Sequence, residues 1–88
     1  MKTIYKYRLE VTDEQIIRLP VGAKILTVQE QGGNPCIWAL VDDLEPHVDR
    51  FFQMYGTGHR ANSAGEYIGT FQLNAGTLVF HVFEDLRE

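Results

Sequence analysis

A single cysteine, Cys36, stands among the 88 residues. No disulfide can close within the chain, and a reducing compartment fits best. Long apolar runs are missing too: no window approaches the roughly 18 apolar residues of a membrane span. The opening MKTIYKYRLEV is broken by Lys2, Lys6 and Arg8, so it is not expected to act as a signal peptide. These absences point to the cytoplasm, with no membrane association. Positive charge is also scarce, with 8 basic against 12 acidic residues and a net charge of −4. Proteins that grip nucleic acid through its phosphates normally show a basic excess. Here Lys2, Lys6 and Arg8 cluster, but Glu10, Asp13 and Glu14 follow at once, and nucleic-acid binding is disfavoured. No segment carries a helical apolar stripe.

What the chain does carry is alternation. From Ile4 to Val11, Tyr5, Tyr7, Leu9 and Val11 alternate with Lys6, Arg8 and Glu10, which puts apolar and charged side chains on opposite faces of a strand. EQIIRLP continues with Ile17 and Leu19 on one side, and Pro20 should end that strand or hold it at an edge. AKILTVQEQ places Leu26 and Val28 together, opposite Thr27 and Gln29. Gly32–Pro35 is a turn, and Cys36–Val41 is apolar on both faces, as in a central strand. Asp42–Arg50 reads as a polar connection, with a strand restarting at Phe51. EYIGTFQL and TLVFHVF flank NAG as a hairpin. The 88 residues suit one domain. The expected fold is all-β: a small antiparallel sandwich or partly open barrel of about seven short strands.

One stretch invites a functional reading. YGTGHRANSAGEYIGTF, Tyr55–Phe71, contains the pattern G-x-G-x-x-A at Gly56–Ala61. A dinucleotide fingerprint needs a helix directly after the glycines, and Asn62, Ser63 and Gly65 offer none. A smaller site survives that objection. Amides around Gly56 and Gly58 could form an anion nest, with Arg60 and His59 adding positive charge and Tyr55 or Tyr67 stacking a base. The competing reading gives both glycines to turn geometry.

Asp43, Glu45, His47 and Asp49 alternate, but the spacing of a calcium loop is absent, so no metal is expected. His47, His59 and His81 are the candidate general bases of that type. His81 sits between apolar neighbours as a sheet residue would, and Cys36 opens an apolar strand as a small hydrophobe. No nucleophile, base and orienter stand in a known arrangement, so neither enzymatic activity nor a cofactor is expected.

KTIYKYRLEV, LPVGAKILTVQEQ, IWALVD, YGTGH, YIGTFQ and LVFHVFE, in that order, resemble a family of small phage- and prophage-encoded proteins of unknown function. The resemblance implies an accessory gene of a tailed bacteriophage, expressed in the host bacterial cytoplasm. It carries over no site residues. Together with a surplus of aromatics, it favours a non-enzymatic module that binds a host or phage protein and inhibits a defence or other host process. The same surplus favours a homo-oligomer. The alternatives are a sponge for a small phosphorylated ligand at Gly56–Arg60 and a minor virion or assembly component.

Overall fold

Seven strands realise the alternation: β1 (Lys2–Arg8), β2 (Glu14–Pro20), β3 (Lys24–Gln31), β4 (Asn34–Asp42), β5 (His47–Gly56), β6 (Glu66–Leu73) and β7 (Leu78–Asp85). The computed structural model describes residues 1–87. Among them the only helical turn is a 3₁₀ turn at Asn74–Gly76, which joins β6 to β7. All pairings are antiparallel. They build a three-stranded sheet in the order β1-β4-β3 and a four-stranded sheet in the order β2-β5-β7-β6. The shortest molecular dimension, 16 Å, suits two sheets packed face to face about 10 Å apart.

The core lies between the sheets. Ile37, Ala39 and Val41 of β4 face Phe52 and Met54 of β5, Val82 of β7, Phe71 of β6 and Leu19 of β2, all buried. Each large side chain removed from water contributes roughly 1.5–3 kcal/mol, so this layer is the main source of stability. β4 is central, as its two apolar faces demand. Pro20 ends β2 on an edge, where its missing N–H costs no ladder bond.

β3 and β6 close one side without hydrogen bonding. A Cβ on Gly69 would lie 2.7 Å from Val28 Cγ1, so only glycine lets these strands meet so closely. The β3–β4 hairpin turns through Gly32 and Gly33 at φ 59° and 87°. Both positions lie in the left-handed region that a two-residue hairpin of this hand requires.

Three local expectations are corrected. β3 holds a bulge between Ile25 and Thr27, so Leu26 and Val28 do not share a face; Val28 is buried and Leu26 is 44% exposed. The polar segment before Phe51 is not all connection. His47–Arg50 already belongs to β5, paired with Arg18 through Pro20 and Ile17 of β2, and ladder bonding to β2 outweighs its weak local pattern. β1 ends at Arg8, leaving Val11 exposed in the link to β2. There Gln15 Nε2 donates to the Glu10 carbonyl at 2.8 Å and its Oε1 accepts from the Glu10 amide at 3.0 Å, pinning the link.

At one end of the sandwich Arg50 and Glu84 face inward. Arg50 donates through Nε and Nη2 to the two carboxylate oxygens, at 2.5 and 2.8 Å, and through Nη1 to the Ala23 carbonyl at 2.6 Å. Hydrogen bonding to Glu84 holds the guanidinium above its already high ordinary pKa. One side chain thereby ties β5 to β7 and to the turn between β2 and β3.

Candidate functional site

The long loop after Gly56 is a crossover. β5 and β6 run parallel with β7 between them, so residues 57–65 must travel back along the sheet over its outer face. Two contacts fix that path. Gln53, on the outward side of β5, is only 5% exposed. Its Nε2 donates to the Ser63 carbonyl at 3.0 Å and its Oε1 accepts from the Gly65 amide at 2.8 Å. At Gly65 the chain then passes so close to β7 that a Cβ would sit 2.1 Å from the Glu84 carbonyl oxygen.

The start of the crossover is a β-turn. The His59 amide donates to the Gly56 carbonyl at 3.0 Å, with Gly58 at φ 88° in the third position, where that turn demands a left-handed residue. The Thr57 amide donates to the Val79 carbonyl at 3.1 Å. Two of the amides that a nest would aim at an anion are therefore spent inside the protein. The His59 ring packs over Gly56, 3.0 Å from where a Cβ would stand, which gives that glycine a packing reason.

Of the six candidate ligand residues, the fold brings Tyr55, His59 and Arg60 into one cleft of about 420 Å³, shared with Asp13, Glu14, Met54, Asn62 and Ser63. Arg60 makes no ion pair among the described residues. Gly56 and Gly58 shape the turn rather than line the cleft. Tyr67 stands apart on β6. Asp13 and Glu14 oppose the positive charge, so the cleft is mixed in sign.

Tyr55 and Tyr67 belong to a different feature. On the outer face of the four-stranded sheet both pack edge-on against Phe83 of β7, at centroid distances of 5.7 and 5.5 Å. This geometry suits the ring quadrupoles. The two tyrosines flank Phe83 from neighbouring strands and do not face one another across a shared slot. The row ends at Tyr67, which is 57% exposed.

Beside the row lies a polar ladder. His81 Nε2 is 2.8 Å from Thr57 Oγ1, His81 Nδ1 is 2.9 Å from Thr70 Oγ1, and Thr70 Oγ1 is 2.6 Å from the Tyr67 hydroxyl. A threonine hydroxyl can donate to or accept from a ring nitrogen, so the two threonines hold the imidazole from both ends. Both ring nitrogens are occupied, which fixes the imidazole as a sheet element. On β5 itself, Phe51 lies under the Arg87 guanidinium, 4.2 Å from its carbon to the ring centroid. Ile16, Phe51, Asp85 and Arg87 border a neighbouring cleft of about 350 Å³.

Gln53, Thr57 and Thr70 carry no local signal. Their roles depend on the register of β5, β6 and β7, which no single segment encodes. No group of three or more His, Cys, Asp and Glu side chains is placed to hold a metal among the described residues, and His47 stands exposed in β5 away from the other histidines. Among the described residues no helix is long and apolar enough to cross a membrane.

A family model for a domain of unknown function, DUF7352, matches residues 1–88. The chain belongs to this family. No curated protein and no solved structure matches it.

Proposed function

We propose that this protein is a non-enzymatic protein-binding module that uses the outer face of its four-stranded sheet. The observation that carries the reading is the ring row Tyr55–Phe83–Tyr67, held on a rigid sheet beside the His81 ladder. Aromatic side chains of this kind give large contact area at little entropic cost, and they are enriched at protein interfaces. The crossover forms one wall of the face and the Arg87–Phe51 stack rises from β5, so a partner would meet relief rather than a flat sheet. The resemblance to small phage-encoded proteins favours a host or phage protein as the partner and the bacterial cytoplasm as the setting. Inhibition of a defence or other host process is the activity that accords with it.

The test is affinity capture from infected and uninfected bacterial lysates with wild type and with a Tyr67→Ala, Phe83→Ala variant. A partner retained by wild type and lost by a variant of unchanged circular dichroism supports the reading. Identical retention by both removes this face from it.

The cleft at Tyr55, His59 and Arg60 supports a second reading, a pocket for a small phosphorylated ligand, because Arg60 makes no ion pair among the described residues even though Asp13 and Glu14 line the same cleft. A thermal-shift panel of cyclic and linear nucleotides decides it: a shift abolished by Arg60→Ala sustains the pocket, and no shift ends it.

A further inference from the structure

β1 bonds to β4 on one side, and the sheet ends there. The parity of that edge follows from the residues that flank the strand. The Leu9 amide donates to the Pro35 carbonyl, and the Met1 carbonyl accepts from the Asp43 amide. In an antiparallel ladder the bonded pairs alternate, so the odd-numbered residues of β1 bond to β4. The backbone N–H and C=O groups of Lys2, Ile4, Lys6 and Arg8 therefore point to the open edge.

The same four residues lie on the outward side of the sheet, in register with Asp42, Leu40, Trp38 and Cys36. Lys24 stands beyond Leu40 on β3. Four of the eight basic residues of this acidic chain thus share one face, with Asp42 as the one acid at its outward strand positions. None of the four makes an ion pair among the described residues. Apolar surface accompanies them: Ile4 is 56% exposed and Leu26 44%.

We infer that the open edge of β1 accepts an extended acidic segment of a partner protein as an added strand. This goes beyond the aromatic-face reading by adding a second contact surface, on the other sheet. Strand addition draws affinity from main-chain bonds and specificity from alternate side chains. An incoming strand would place every second side chain beside Lys2, Ile4, Lys6 or Arg8, which selects acidic residues on that side of the strand. A second copy of this chain is the wrong occupant, because β1 against β1 would set like charges across the ladder, which is destabilising. Lysines on an edge strand ordinarily block such self-pairing. Nucleic acid has no peptide backbone to satisfy the free N–H and C=O row.

The probe is a fluorescein-labelled peptide of alternating glutamate and valine, titrated by fluorescence anisotropy. Alternating lysine and valine and an oligothymidylate serve as comparisons. The glutamate peptide should bind at about 50 mM salt and weaken roughly tenfold by about 500 mM, as screening shortens the Debye length. Its binding should slow hydrogen exchange at Ile4, Lys6 and Arg8 but leave Tyr5 and Tyr7 unchanged. Lys6→Glu with Arg8→Glu, checked for an unchanged melting curve, should abolish it. Absence of binding, equal binding of the lysine peptide, protection confined elsewhere, or tighter binding of the oligothymidylate would overturn the inference. If the glutamate peptide fails while Tyr67 and Phe83 still govern partner capture, the broader reading stands and only the edge assignment falls.

Discussion

Gln53 clamps Gly65, its side-chain oxygen accepting the Gly65 amide at 2.8 Å while its nitrogen donates to Ser63. The clamp turns a nine-residue crossover into part of the sheet. Gln53→Leu keeps the volume but leaves two backbone groups to find water. Losing such bonds costs about 1–2 kcal/mol when the partners are only partly desolvated. The expected result is a lower urea midpoint and faster hydrogen exchange at Gly65. Unchanged exchange there would mean that the crossover holds its path without Gln53.

Gly65 and Gly58 separate two reasons for glycine. At Gly65 an added methyl collides with the Glu84 backbone oxygen, and neither backbone can yield without breaking the β6–β7 start. At Gly58 there is open space, and only the φ of 88° is at issue. Gly58→Ala should cost about 1–2 kcal/mol of left-handed strain. Gly65→Ala should cost clearly more, and its melting temperature should fall further. Equal losses at the two positions would contradict the close approach.

Two-residue alternation was enough to read the strands, because a buried face repeats at that period whatever the neighbours are. Cys36–Val41 announced a central strand, and Pro20 announced an edge. The bulge at Leu26 was invisible, since it answers to the register with β4 rather than to its own residues. His47–Arg50 was hidden for the same reason: pairing with β2 makes it a strand. At the candidate site the sequence showed the glycines and the charges of the loop. It did not show that the Thr57 and His59 amides are spent on Val79 and Gly56, or that Tyr55 and Tyr67 meet Phe83 rather than each other. Those facts belong to crossing segments far apart in the chain.

Asp42 gives a pH dependence with a definite sign. The Leu44 amide, and then the Met1 amine, hold its carboxylate below the usual range. A carboxyl whose folded pKa is depressed stabilises the fold above its unfolded value, and that contribution fades as pH falls through the folded value. The Leu44 amide resonance, followed by NMR through acid titration, should move at a pH below the midpoint of Asp42 in an unstructured peptide of the same sequence. A midpoint at or above the peptide's would show that the Leu44 contact does not hold in solution.

Arg50 and Glu84 are 19% and 9% exposed along their side chains, so removing one partner leaves a largely buried charge. Glu84→Gln or Arg50→Met should each cost about 3 kcal/mol or more, the range for breaking a buried pair. Arg50→Met also strands the Ala23 carbonyl, so it should be the worse of the two. Replacing both at once, Arg50→Met with Glu84→Gln, removes the uncompensated charge and should lose less than the sum of the single effects. Urea unfolding of the four proteins measures the coupling between them. Simple additivity would show that the pair is screened by water and that the end of the sandwich is held by Ala23 and apolar contacts alone.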